Sequence, residues 1–294
     1  MSFTRSNSGL SNMALFHQVD LIVFTEGGCQ SYSFEKVIEG KYNDFAVDIK
    51  FWSGIFEASN FNKKVQFRGL GSKTATKKIC ELIVNNKIQN VVVTRDSDLD
   101  DFISTKYKSP FILYTKGYSW ENDVYHKDIV TEYIKSLLFT QNLNNVYQNV
   151  LDSSYKIFQR KSKRLLKAEL LFRLNGEKLI TDCNGDRFIN GKSFPKINNK
   201  QIINLIRQKK DKIARPATLD GIDLNCCSVT FSYGKLAESL ALANISYIVS
   251  KIAKVSTQFP LHIIAAAMID KFISEYQKAP DQYYSNLIDK LAKA

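Results

Sequence analysis

The stretch Val19-Asp20-Leu21-Ile22-Val23-Phe24-Thr25-Glu26-Gly27-Gly28 decides the fold. Its centre, from Leu21 to Thr25, is apolar and rich in β-branched residues, the pattern of a strand covered on both faces. Glu26-Gly27-Gly28 stops it. Outward from there, residues 31–39 read as a short helix with Phe34, Val37 and Ile38 on its apolar face. Residues 45–52 alternate as a strand does, and residues 74–85 place Ile79, Leu82 and Ile83 on one side of a helix. Residues 90–94 form a second buried-type strand and residues 111–115 a third. Strands alternating with helices predict an α/β fold with a mainly parallel sheet, in which ligands gather at the carboxyl ends of the strands.

Beyond His126 the pattern changes to long helical periodicity, over 126–139, 146–174, 199–213, 233–255, 261–276 and 281–291. Pro280 is placed to start the last of these. Residues 175–198 form a loop-rich insertion with Asn175-Gly176, Asn184-Gly185, Asn190-Gly191 and Pro195. The expectation is two domains: an α/β domain over 1–126 and a mostly α-helical C-terminal domain over 127–294. A chain of 294 residues is long enough to bury a core in each.

The chain has 41 Lys+Arg against 29 Asp+Glu, net +12, which raises nucleic acid or another anionic surface as a partner. The excess is local. Residues 1–126 carry 15 bases and 14 acids, whereas residues 156–215 carry 17 bases and 5 acids. The bases cluster around Arg160, Lys161, Lys163 and Arg164, and again around Arg207, Lys209 and Lys210. Such groups neutralise phosphates without reading sequence. Arg187 and Phe188, in the loop between the clusters, are candidates to grip or stack on a nucleotide. A surface that docks an acidic protein is the competing reading. Lys73, at the start of the 74–85 helix, and Lys116 are further candidate phosphate contacts, each read against a solvated surface. Gly69-Leu70-Gly71-Ser72-Lys73-Thr74 fails the P-loop pattern, because Ser72 stands where glycine must precede the lysine.

Other classes are disfavoured. No stretch approaches the roughly 20 apolar residues of a membrane span. Residues 1–12 lack the apolar core of a signal peptide. Cys29, Cys80, Cys183, Cys226 and Cys227 contain no C-x-x-C pair, and their odd count fits a reducing compartment, so a cytoplasmic location is expected. Cys226-Cys227 reads as a core or helix-edge pair. His17, His126 and His262 have no metal-ligand companions, and His262 reads as a packed helix residue.

Three acidic groups follow predicted strands: Glu26, then Asp96 with Asp98 and Asp100, then Glu121. In parallel neighbours all three lie at one sheet edge, and Asp96 and Asp98 point to the same side if the segment is extended. Converging carboxylates need a cation or a shared proton to offset their repulsion. Oxygen ligands at an open site suit Mg²⁺ or Mn²⁺, which also hold phosphate oxygens, and Glu26 beside the metal can move protons. The competing reading makes these acids turn formers and caps, with Ser97-Asp98 capping a helix near Leu99.

The ordered set Thr25-Glu26-Gly27, Asp96-Ser97-Asp98 and Tyr118-Ser119-Trp120-Glu121-Asn122 resembles a Toprim domain. It is similar to the family of uncharacterised-domain proteins that includes AriB, the Toprim-type effector nuclease of the PARIS anti-phage system. The likeness covers about residues 19–126 by motif. It implies a metal-dependent nuclease that disables translation by cutting tRNA, restrained by a partner ABC-type ATPase until infection is sensed. By motif match Glu26 is the general acid/base, Asp96 and Asp98 hold the metal, Asp100 assists, and Glu121 completes the acidic pocket. Relatives often carry another acid after the E-G pair, where this chain has Gly28-Cys29-Gln30. A DNA-cutting nuclease and a non-catalytic nucleic-acid-binding regulatory subunit are the rival readings. One catalytic centre per subunit makes a homodimer the expected active form.

Overall fold

The computed structural model describes residues 7–181, 185–190, 193–213, 218–219, 222, 228–255 and 260–294. Cys183, Asn184, Gly191 and the Cys226-Cys227 pair lie outside the described residues. In chain order, α1 (Asn7–Phe16) leads into β1 (Leu21–Thr25), α2 (Phe34–Ile38) and α3 (Val47–Ala58). Next come β2 (Val65–Gly69), α4 (Lys73–Val84), β3 (Val91–Arg95), α5 (Asp100–Ile103) and β4 (Ile112–Tyr114). The helical part follows with α6 (Trp120–Val124), α7 (Lys127–Leu137) and the long α8 (Asn145–Leu174). A two-stranded ribbon, β5 (Ile189–Asn190) and β6 (Lys196–Ile197), precedes α9 (Asn199–Lys209). Finally α10 (Gly234–Ser246) runs into a π-helical segment, Tyr247–Ile252, before α11 (Leu261–Lys278) and α12 (Gln282–Lys293). The chain therefore has α/β character with a parallel sheet, then a largely helical C-terminal region, as the periodicity predicts. No described helix is long and apolar enough to cross a membrane.

The chain divides into two compact units. The first comprises Met1–Asp96, Lys106–Lys116 and Phe272–Ala294, and the second Ser97–Thr105 and Gly117–Lys271. The single boundary expected at 126 does not describe this division, because the C-terminal segment belongs to the first unit. Tyr284 of α12 seats its ring edge-on against Phe51 and Trp52 of α3, at 5.9 and 5.8 Å, and is 1% exposed.

The sheet of the first unit has the order β2-β1-β3-β4, all pairs parallel. Its two faces follow the alternation of β1. Ile22 and Phe24 join Val91 and Val93 in a core with Leu70, Ala75, Ile79 and Leu10 from the α4 and α1 side. The other face carries Val23 and Phe67, and Phe56 of α3 meets Phe67 edge-on at 5.4 Å. The segment 45–52, expected as a strand, is helical from Val47. Phe51, Trp52, Ile55 and Phe56 recur with helical spacing and are all buried, whereas Phe45 is exposed. Of this sheet, the strand not expected from the sequence is β2, an edge strand whose residues are mostly half-buried.

In the second unit α8 buries Leu151, Phe158, Leu165, Leu166 and Leu170 along one stripe. Leu99, Tyr118, Leu166 and Leu170 form one of its cores, with Phe231 and Tyr233 packed on it. Two buried amides of this unit are tied through their nitrogens, although Asn244 Oδ1 has no hydrogen-bond partner among the described residues. Asn122 Nδ2 donates to the carbonyls of Val229 and Ser232 at 2.8 and 2.9 Å, and Asn244 Nδ2 to Ser154 Oγ at 2.8 Å. Phe188, expected to be available for stacking, is 1% exposed and belongs to the core, and His262, expected to be packed, is exposed. His262 sits in the first turn of α11, before the buried stripe begins at Ile264.

Candidate functional site

Glu26 lies one residue beyond β1, and its side chain is 7% exposed. The parallel register sets Thr25 against Gly69 on one side and Thr94 on the other. The carboxyl ends of β2 and β3 therefore flank Glu26, as an α/β sheet requires of a ligand-facing residue. Arg95, the last residue of β3, donates from Nε to Glu26 Oε2 at 3.4 Å. Lys73, the first residue of α4, brings Nζ to 3.3 Å from Glu26 Oε1. That contact is an ion pair without hydrogen-bond geometry, and Oε1 has no hydrogen-bond partner among the described residues. The two cations differ in exposure: the Arg95 side chain is 11% exposed and that of Lys73 52%.

The loop after Glu26 is pinned by Asn43, which is buried. Asn43 Oδ1 accepts from Cys29 Sγ and Gln30 N, both at 3.0 Å, while Nδ2 donates to the carbonyls of Gln30 and Gly69 at 2.8 and 2.9 Å. Gly27 N donates to Asp48 Oδ2 at 2.8 Å, and a Cβ at Gly27 would strike that carboxylate. Gly71, at φ +61°, lies against the Gln30 carbonyl and leaves no room for a Cβ either. Ser72 then caps α4, accepting from Ala75 N at 3.2 Å. Glycines and Asn43 together set the backbone from which Glu26 projects.

Around Arg95 stand Tyr107 and Tyr114, each ring centroid 5.8 Å from its guanidinium carbon. Tyr107 N donates to the Tyr114 hydroxyl at 3.0 Å, and the Tyr107 hydroxyl donates to Glu81 Oε1 at 3.3 Å. Burial, with Glu81 adding to it, pushes the Tyr107 hydroxyl up to about 12. Burial likewise pushes the Cys80 thiol up to about 12, against the opposing pull of Arg95.

The remaining acids are distributed differently from the expectation. Asp96 belongs with Glu26 in the first unit, and Asp98, Asp100 and Glu121 belong to the second. Asp98 is not in an extended segment. It has φ +45°, the left-handed region, and its N–H donates to Tyr118 O at 2.7 Å, so the alternation that would aim Asp96 and Asp98 together is broken by a turn. Asp100 opens α5, whose N-cap is Leu99 rather than Ser97 or Asp98. Glu121 lies in the first turn of α6, where Ser119 and Asn122 form a capping box. Its Oε1 is 2.9 Å from Lys235 Nζ, which also reaches Glu238 Oε2 at 2.9 Å. Tyr125 OH donates to Glu238 Oε1 at 3.3 Å. Burial opposes the charge on Lys235, but Glu121 and Glu238 outweigh it and raise its pKa.

Among the described residues of either unit, no group of three or more His, Cys, Asp and Glu side chains is gathered closely enough to hold a metal ion. In each unit the buried acid that the sequence singles out is met by basic side chains, Lys73 and Arg95 at Glu26 and Lys235 at Glu121. Both carboxylates already have cations of the chain beside them, and no chemical step is derived through a divalent ion.

The basic candidates separate into engaged and open groups. Lys116 is ion-paired with Asp281, and Lys209 Nζ donates to Leu179 O at 2.6 Å and Thr181 Oγ1 at 3.0 Å. Arg187 stacks its guanidinium over the buried Phe188 ring at 4.6 Å. On α8, Arg160 and Arg164 are exposed, Lys161 and Lys163 are half-exposed, and Arg164 reaches Asn199 Oδ1 at 3.4 Å. Lys210 is exposed.

No protein-family model matches the chain, and no curated protein matches it. The class defined by fold and site is an α/β protein with a buried carboxylate flanked by two cations at the carboxyl edge of a parallel sheet.

Proposed function

We propose that the chain is a Toprim-type nuclease that depends on Mg²⁺ or Mn²⁺. In this reading it cleaves RNA, host tRNA in particular, as the toxic effector of an anti-phage defence, active as a homodimer and restrained by an ABC-type ATPase. The observation that carries the reading is Glu26, a buried carboxylate just past β1 with Lys73 and Arg95 at its two oxygens. By the resemblance Glu26 is the group that moves the proton, and Lys73, half-exposed, is suited to meeting a phosphate oxygen. The choice of metal and tRNA rests on the resemblance of Thr25-Glu26-Gly27 and Asp96-Ser97-Asp98. The open cations Arg160, Lys161, Lys163, Arg164 and Lys210 supply sequence-independent phosphate contacts.

Purified protein with Mg²⁺ is to be incubated with total tRNA and, separately, with plasmid DNA. Cleavage of tRNA that disappears in Glu26→Ala, with nucleic-acid binding retained, supports the reading; full activity in that variant refutes it. Cutting of plasmid alone moves the assignment to a DNA nuclease. A second reading, a non-catalytic nucleic-acid-binding subunit, is favoured by the lysines that engage Glu26 and Glu121. Calorimetry separates the two: no Mg²⁺ or Mn²⁺ binding together with intact nucleic-acid binding favours the second.

A further inference from the structure

We infer that Arg95 is a positioning residue that anchors Oε2 of Glu26 and leaves Oε1 as the oxygen that exchanges a proton. The inference rests on the nuclease reading for its catalytic part. It begins with the strand register. Phe24 pairs with Val93 and Thr25 with Thr94, so continuing both strands by one residue sets Glu26 beside Arg95 on the face that carries Phe24 and Val93. Parallel pairing of two buried strands fixes that adjacency before any side-chain interaction is added.

The two oxygens of Glu26 are then treated unequally. Oε2 receives a hydrogen bond from Arg95 Nε at 3.4 Å, whereas Oε1 receives none and has only the Lys73 ammonium at 3.3 Å. Arg95 is held in turn. Its guanidinium has the Tyr107 and Tyr114 rings at 5.8 Å each, and those rings are tied together through Tyr107 N and to α4 through Glu81. An arginine near two rings and 11% exposed is poorly placed to swing out to a substrate. Lys73, 52% exposed at the start of α4, is the cation of the pair that a phosphate can reach from solvent. The site therefore separates a buried cation that orients the carboxylate from an exposed one that meets the substrate.

The test has two arms. The first needs no activity: urea unfolding constants are measured for Glu26→Gln, Arg95→Gln and the double variant. Coupled residues depart from multiplicative behaviour, here by about five-fold. Independent effects overturn the anchoring outright. The second arm reads tRNA cleavage. Arg95→Gln is expected to lower kcat by about a hundred-fold with KM changed less than three-fold, as for a displaced catalytic group. Arg95→Lys, which keeps the charge but not the planar fork, recovers part of the loss, and Lys73→Gln raises KM instead. Circular dichroism checks that each variant is folded, and Arg95→Lys carries the test if Arg95→Gln is not. Coupling with an unchanged kcat overturns the positioning role. Coupling in a protein that cuts no nucleic acid sinks the nuclease reading while the anchoring of Glu26 stands.

Discussion

Replacing Lys235 by methionine isolates the electrostatics of the second unit. Its ammonium sits 2.9 Å from both Glu121 and Glu238, whose side chains are 8% and 16% exposed. Removing one partner of a fully buried pair costs about 3–5 kcal/mol, because the other charge is stranded. An exposed pair is worth roughly 0–1 kcal/mol. The Lys235 side chain is 37% exposed, so solvent screens part of the interaction and the expected loss falls to about 2 kcal/mol. Methionine keeps most of the packing over Trp120, whose ring centroid is 5.8 Å from Nζ. Urea is the denaturant of choice because, unlike guanidinium, it does not screen charges. The chain has two tryptophans, so Trp120 fluorescence in a Trp52→Phe background reports the second unit alone. With a slope of about 2 kcal/mol per molar, the midpoint should fall by about 1 M. Adding Glu121→Gln and Glu238→Gln to Lys235→Met should restore more than half of it, since neutral amides leave no stranded charge. A midpoint unmoved in Lys235→Met, or not restored in the triple variant, refutes the claim that Lys235 compensates these acids.

Asn43→Ala strips hydrogen bonds from Gln30 and from the Gly69 carbonyl, and a loss of about 2–3 kcal/mol in urea unfolding of the first unit is expected. Gly71→Ala forces a Cβ onto the Gln30 carbonyl at a left-handed φ, so loss of the folded first unit or a fall of at least about 1 kcal/mol should appear in the same assay. Cys80 gives a pH test. Its thiol is pushed from an ordinary 9.0 to about 12 by burial, so its contribution is full below pH 9 and is lost as pH rises towards 12. Stability should fall there by about 1.4 kcal/mol per pH unit more in wild type than in Cys80→Ala. Peptide mapping after brief iodoacetamide treatment at pH 8 should find Cys29, which is exposed, modified and Cys80 protected.

The central strands were legible because both of their faces are covered. The two strands carry unbroken apolar runs over 21–24 and 91–93, and an amphipathic helix would have shown a polar side. The edge strand Val65–Gly69 carries no such run, since Gln66 and Arg68 alternate with Val65 and Phe67 over only five residues. Residues 45–52 misled for the opposite reason. A window of eight residues ends before Ile55 and Phe56, the next turn of the helix, so the helical repeat had no second member to declare itself. The C-terminal helix α12 was legible as a helix, with Tyr284, Ile288 and Leu291 on one stripe. Its place in the first unit was not, because the stripe says that a partner exists and nothing about which one.

The site divides along the same line. Glu26 was legible from its position after β1, which is a property of adjacent residues. Arg95 and Lys73 are its partners through strand register and through the start of α4, so the chain gives them no shared local pattern. Lys73 reads as a phosphate contact from its charge and its place at the start of a helix, and nothing marks Arg95 beside the more conspicuous Asp96 and Asp98. Yet Arg95 shares an edge and a face with Glu26 as soon as β1 and β3 are taken as parallel neighbours, an inference open to the sequence once both runs are recognised. Acids read in isolation suggest a cation bound from outside. Acids read with their register neighbours already have cations from the chain: Arg95 and Lys73 at Glu26, and Lys235 at Glu121. A divalent ion that acts on Glu26 or Glu121 must therefore compete with an ammonium or a guanidinium. Metal affinity should accordingly rise when Lys73 or Lys235 is neutralised, and calorimetric Mg²⁺ titrations of Lys73→Gln and Lys235→Gln that show no gain over wild type would exclude both carboxylates as ligands.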